Sequence, residues 1–185
     1  KLNITKNCID RHLAVRGDKT AIIWEPNDPK EEAQHISYQE LYTRVNKTAN
    51  VLHDMGIKKG DRVCIYLPMI PELAITMLAC AKLGAVHSVI FAGFSASAVA
   101  SRVNDCEAKM VITSDGSYRG NKVLDLKSIV DDALEKTPTV ENVLVVKRTH
   151  NEIKMKEGRD HWMADLYEKA SPDFVSVIMD SEDPL

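Results

Sequence analysis

Two short segments carry residue types and spacings that could do chemistry. The first is Gly84-Ala85-Val86-His87-Ser88-Val89-Ile90-Phe91-Ala92-Gly93-Phe94-Ser95. An apolar run ends in Gly93, bracketed by Phe91 and Phe94, and Ser95 then opens an alanine-rich helical stretch. Loops between a strand's carboxyl end and a helix's amino end are where open α/β sheets bind ligands. Gly93 can bring backbone close to a ligand with no side chain between. Read from these residues alone, an ordinary strand-to-helix turn capped by Ser95 is the favoured account, since a single glycine is a weak signal. The second segment is Ser114-Asp115-Gly116-Ser117-Tyr118-Arg119-Gly120-Asn121-Lys122. Its Gly120-Asn121 pair favours a tight turn, and a cation stands on either side of it. Arg119 offers a planar fork to a phosphate, and Lys122 adds a mobile point charge. A solvated turn with two surface charges is the other reading.

Further residues invite chemistry and are assigned none. Asp131-Asp132 pairs two carboxylates, but neighbours on a helix diverge by about 100°, so a solvated helical face is expected. His87 lies in an apolar strand and reads as a hydrogen-bonded core histidine. Trp162 reads as packing. Cys8, Cys64, Cys80 and Cys106 lie far apart without paired spacing and read as small buried hydrophobes, not as zinc ligands or a disulfide framework. No His-x-x-x-His pair, Gly-x-Gly-x-x-Gly, Walker loop or Gly-x-Ser-x-Gly elbow occurs. No catalytic residue and no metal ligand is therefore assigned.

The elements that must position these segments follow from periodicity. Ser37-x-x-Glu40 is a capping box opening a helix on Tyr38, Leu41, Val45, Ala49 and Leu52, with Gly56 as its stop. Val63–Leu67 is continuously apolar, as in a strand covered on both faces. Pro71 starts a helix running to Leu83 that is apolar nearly all round. Ala85–Phe91 is the next strand, completing a β-α-β unit expected to be parallel. A helix over Ala96–Cys106, a strand over Met110–Thr113, a helix at Leu126–Leu134 and a strand over Val143–Val146 continue the alternation. His150–Asp160 reads as a polar surface excursion. The fold class is α/β, a largely parallel sheet with helices on its faces. The chain's 185 residues, 44% hydrophobic and 28% charged, sustain a packed core. A net charge of −3 points away from nucleic acid and anionic membranes as partners. No apolar stretch reaches the ~20 residues of a membrane span, and a cytoplasmic setting is expected.

Tyr66-Leu67-Pro68-Met69 leading into Pro71-Glu72, then Ala79-Cys80-Ala81-Lys82-Leu83-Gly84-Ala85-Val86-His87-Ser88 and the aromatic loop, resemble the AMP-forming acetyl-CoA synthetases, members of the adenylate-forming superfamily. Val143–Arg148 and Glu157-Gly158-Arg159-Asp160 support the likeness. The resemblance implies that residues 1–185 form part of the large N-terminal domain. Residues 1–60 would hold the N-terminal strands and first long helix, and 61–148 the α/β core. In that family a Phe-Gly-Gly-Phe-Ser loop lies near the coenzyme A entrance, so Phe91 and Gly93 are implied to face coenzyme A. Ala92 replaces its first glycine. The family's segment with two arginines contacts the nucleotide phosphate of coenzyme A, which implies the same of Arg119, Gly120, Asn121 and Lys122. Lys122 stands for the second arginine.

The implied parent enzyme uses acetate, ATP, coenzyme A and Mg²⁺. In the family its phosphate loop begins just after a segment like Glu182-Asp183-Pro184-Leu185, where this sequence stops. The chain is accordingly expected to be a piece of that enzyme, inactive alone, binding none of these ligands tightly, with the rest of the enzyme as its partner. Propionyl-CoA and related short-chain acyl-CoA synthetases share much of the pattern. A stand-alone, non-catalytic α/β binding module is the reading from a different class.

Overall fold

A computed structural model describes residues 2–185. In chain order the elements are α1 (Ile4–Cys8), a 3-10 turn (Asp10–His12), α2 (Leu13–Arg16), β1 (Thr20–Trp24), β2 (Gln34–Ser37) and α3 (Tyr38–Asp54). There follow β3 (Arg62–Tyr66), α4 (Pro71–Leu83), β4 (Val86–Val89), α5 (Ala96–Asp105) and β5 (Met110–Ser114). The chain continues through β6 (Ser117–Arg119), β7 (Lys122–Leu124), α6 (Leu126–Leu134), β8 (Asn142–Val146), β9 (Asp160–Trp162) and α7 (Met163–Tyr167). They form two compact units. One holds the residues up to Gly60, Ile70–Ala85 and Ala170–Leu185; the other holds Asp61–Met69 and Val86–Lys169.

The second unit is built on a five-stranded sheet in the order β4-β3-β5-β8-β9, with every pair parallel. Val63–Tyr66 pairs with Met110–Thr113 residue for residue, and Met110–Ser114 with Asn142–Val146. This register sorts the strand residues onto two faces. Cys64, Tyr66, Val111, Val143 and Val145 share one face with Val99 and Val103 of α5 and Leu126 and Val130 of α6 in a single buried cluster. Val63, Ile65, Met110, Ile112 and Leu144 point to the opposite face and are also fully buried. Burial on both faces is why these strands read as unbroken apolar runs. β4 is an edge strand and only partly covered. β9 forms the other edge, so the polar stretch expected to be a surface excursion ends by adding a strand to the sheet. The same fold brings the Cys64 and Cys106 sulfurs to 3.6 Å, although their spacing in sequence suggested no pairing.

In the first unit, α3 packs on α4, and β1 pairs antiparallel with β2. Both halves of the capping box form: the Ser37 side chain accepts from the Glu40 N–H, and the Glu40 carboxylate accepts from the Ser37 N–H at 3.0 Å. Pro71 occupies the first turn of α4, and Gly84 ends that helix with φ of 78°, a conformation that favours glycine. Lys82 is an exception to the helix's apolar character. It is fully buried, its ammonium donates to Asp10 at 3.0 Å, and it lies over the Tyr42 ring. The Asn3 side chain donates to the carbonyls of Ala81, Lys82 and Val177, which ties the segment after Ala170 to the end of α4.

Ser37→Ala removes the acceptor for the Glu40 N–H and should destabilise the chain by about 1 kcal/mol. Urea unfolding should show a lower midpoint at unchanged slope.

Candidate functional site

Because all five strands are parallel, their carboxyl ends share one edge of the sheet. The chain enters at β3, adds β4 on one side, then crosses to the other side for β5, β8 and β9. Connections therefore leave β3 and β5 in opposite directions, the kind of switch point at which open α/β sheets bind ligands. Both segments singled out by sequence leave from this edge. The aromatic loop follows β4 and the Arg119–Lys122 turn follows β5. β3 lies between, so the two begin about 10 Å apart. Among the described residues no hydrogen bond or ion pair joins them.

The aromatic loop is a tight turn in which the N–H groups of Gly93 and Phe94 both donate to the Phe91 carbonyl, at 2.8 and 3.1 Å. Tyr66, the last residue of β3, donates its hydroxyl to the Phe94 carbonyl at 2.8 Å. Burial raises the pKa of that phenol, so it stays a neutral donor. Backbone freedom is not what the loop needs: positive φ occurs at neither Ala92 nor Gly93. A Cβ at position 93 would instead come within 2.8 Å of the Phe91 ring. The glycine makes room for an aromatic that is 69% exposed. The Phe91 and Phe94 rings meet edge to face at 5.8 Å, and the Arg102 guanidinium lies 4.6 Å from the Phe94 centroid. Ser95 caps α5 by accepting from the Ala98 N–H.

The second segment is a β-hairpin of β6 and β7, not an open loop. Gly120 takes φ of 58° at the first central position of its two-residue turn. Arg119 and Lys122 are directly opposed across the ribbon. Opposed residues share a face, so both cations project to the same side. Both are exposed, and among the described residues neither has an ion-pair partner.

Sequence reasoning did not find what holds this hairpin. Asp115 is 1% exposed, and its carboxylate accepts from the N–H groups of Gly116, Arg148, Thr149 and His150 at 2.7 to 3.0 Å. It thereby joins the exits of β5 and β8. The Arg148 guanidinium stacks 5.0 Å from the Tyr118 ring. A Cβ on Gly116 would collide with Thr149 and Asn151. Asp-Gly directly after a buried strand was the signal available.

Two expectations are corrected. Asp131 is not a solvated face. It pairs with Lys127 at 2.7 Å and with Arg159, while Asp160, with no side-chain exposure, meets the buried Lys127 at 2.8 Å and Arg159 as well. The network borders a groove of about 470 Å³ lined by Asp125, Ser128, Asp131, Asp132, Glu152 and Lys154 among others. His87 is half-buried and its Nδ1 has no hydrogen-bond partner, so it is no hydrogen-bonded core histidine. Burial lowers its pKa. Among the described residues no group of three or more His, Cys, Asp or Glu side chains could hold a metal ion, and no helix is long and apolar enough to cross a membrane.

A five-stranded parallel sheet flanked by helices, with its loops gathered on the carboxyl edge, defines an α/β fold. The chain belongs to the AMP-binding enzyme family, which matches residues 9–184. It is 53% identical over 184 residues to the acetyl-coenzyme A synthetase of Halorhodospira halophila and 54% identical over 186 residues to that of Salmonella typhi. Each match takes in 100% of this chain, which spans 28% of either relative. Among solved structures, the acetoacetyl-CoA synthetase of Streptomyces lividans superposes with a TM-score of 0.83 at 26% identity, over 95% of this chain and 26% of that one.

Burial alone would raise the Asp160 pKa, but hydrogen bonds from Arg159 and Lys127 outweigh it and hold the carboxyl below its usual range. A depressed folded pKa stabilises above the unfolded value, near 3.9, and that contribution is lost as pH falls through the folded value. Unfolding midpoints measured against pH should therefore fall more steeply below about pH 4 in the parent chain than in Asp160→Asn.

Proposed function

We propose that the chain supplies part of the large N-terminal domain of an AMP-forming acetate–CoA ligase. Whole-chain identity above one half with enzymes named acetyl-coenzyme A synthetase carries this reading. In the complete enzyme, acetate attacks ATP to give acetyl-adenylate and pyrophosphate. The coenzyme A thiolate then displaces AMP. ATP, Mg²⁺ and acetate would be handled by other parts of that enzyme, which is this chain's partner. Propionate or another short-chain acid is the alternative substrate. The setting is cytoplasmic, without nucleic acid or membrane partners. Residues 1–60 form the N-terminal strands and first long helix of the domain, and 61–148 its α/β core.

Within it, Phe91 and Gly93 line the approach of coenzyme A. Arg119, Gly120, Asn121 and Lys122 bind its nucleotide phosphate. Opposed like charges repel each other across a hairpin, and an anion between Arg119 and Lys122 relieves that repulsion. Exposed, unpaired guanidinium and ammonium groups on one face of a turn anchored by Asp115 suit a phosphate. No residue at this edge is assigned a nucleophile or general-base role.

Two measurements test the reading. Arg119→Ala in the complete enzyme should cost roughly 1.5–3 kcal/mol of coenzyme A binding. That is a rise in KM of about one to two orders of magnitude where KM tracks affinity. Dephospho-coenzyme A should be little affected, and so should ATP–pyrophosphate exchange, which precedes coenzyme A attack. Lys122→Arg should hold or improve affinity. Equal losses for both forms of coenzyme A would make Arg119 a loop-holding residue.

The 185-residue polypeptide alone should show only background acetate-dependent exchange of pyrophosphate into ATP. Exchange above background in a pure preparation would overturn the assignment of the adenylation chemistry to other parts of the enzyme.

A further inference from the structure

Cys64 and Cys106 are forty-two residues apart in sequence, and their sulfurs stand 3.6 Å apart. Cys64 lies within β3 and is fully buried, whereas Cys106 caps the end of α5 and is half-buried. The strand that carries one thiol also fixes the backbone of the other. Arg62, two residues before Cys64, donates its Nε to the Cys106 carbonyl at 2.7 Å and an Nη to the Glu107 carbonyl at 3.0 Å. The Cys106 N–H is in turn bonded to the Arg102 carbonyl, and the Ala108 N–H to that of Val103. A disulfide brings its sulfurs to about 2.05 Å. The remaining closure is roughly 1.5 Å.

We propose that Cys64 and Cys106 form an oxidation site at which a hydroperoxide converts the two thiols to an intrachain disulfide. Cys106, the more accessible sulfur, attacks the peroxide as its thiolate, breaking the O–O bond and becoming a sulfenic acid while hydroxide leaves. The Cys64 sulfur then attacks the sulfenic sulfur. The S–S bond forms, the S–O bond breaks, and the departing hydroxide takes up the Cys64 proton as water. In sum, two thiols and hydrogen peroxide give one disulfide and two waters, the sulfurs being oxidised and the peroxide oxygens reduced. Burial, with Cys106 alongside, holds the Cys64 thiol well above the usual range. That suits Cys64 to the second, resolving step more than to the first attack on peroxide.

The bond would close a ring that carries the whole Phe91–Phe94 loop. It would tie β3, whose Tyr66 hydroxyl holds the Phe94 carbonyl, to the far end of the helix that follows the loop. Oxidation therefore acts on the segment at the sheet's carboxyl edge without touching Arg119 or Lys122.

The test begins from Cys8→Ser, which removes the exposed thiol and leaves three of the four cysteines. The folded chain, verified by circular dichroism, is treated with hydrogen peroxide. Two of the three thiols should be lost and the intact mass should fall by about two units, the two thiol hydrogens. The peptides carrying Cys64 and Cys106 should be joined until dithiothreitol is added. Adding Cys106→Ser should abolish the thiol loss. Adding Cys64→Ala instead should leave a Cys106 sulfenic acid that dimedone traps. Unchanged thiol content, a Cys106 sulfinic acid beside a free Cys64, or a joined pair only after unfolding in urea would each overturn the proposal.

Discussion

A parallel sheet cannot be linked by tight hairpins: each strand must be followed by a crossover before its parallel neighbour. That constraint governs the second unit. It places the exits of β3, β4, β5 and β8 on one edge, whatever their sequences. It also makes the strands apolar on both faces, since each face must be covered. β3 and β5 flank the switch point; the aromatic loop leaves the outer neighbour of β3, β4, and the cationic hairpin follows β5. The site is thus a consequence of strand order, with side-chain chemistry added at the loops.

Gathering strand ends leaves backbone N–H groups that no neighbouring strand satisfies. Asp115 resolves this for β5 and β8 with one buried carboxylate that accepts from four N–H groups. A buried carboxylate without such donors would be costly. Tyr66 does the corresponding work between β3 and the aromatic loop. Further out, Lys127 and Asp160 are both buried charges compensated by each other, with Asp131 and Arg159 completing the network. Removing one member would strand the others as uncompensated buried charge.

The hairpin bearing Arg119 and Lys122 contrasts with these satisfied charges. Its two cations are opposed, exposed and unpaired, while the turn beneath them is pinned through Asp115 and the Tyr118–Arg148 stack. Rigid support under free charge is the arrangement expected of an anion subsite. The proposed coenzyme A phosphate role agrees with that arrangement.

Local rules made much of this chain legible from sequence. The Ser37–Glu40 box, Pro71 at the start of α4, Gly56 past the end of α3, and the apolar runs at β3, β5 and β8 each act within a few residues. Those elements stand where periodicity placed them. The Phe91–Phe94 loop and the Arg119–Lys122 turn were likewise visible as composition, and the resemblance carried by residues 61–122 pointed to the family.

What tertiary structure decided was every relation between residues distant in sequence. Asp115 reads as a turn residue until β8 delivers three N–H groups to it. Asp131 reads as a solvated carboxylate until Arg159 arrives from twenty-eight residues away. Cys64 and Cys106 read as unrelated until α5 folds back along β3. β2, β6, β7 and β9 are too short for periodicity to reveal, and pairing alone makes them strands. Sequence specifies local backbone preference and which faces must be buried. Which buried groups meet depends on the order in which the strands pair, and that is a property of the whole fold.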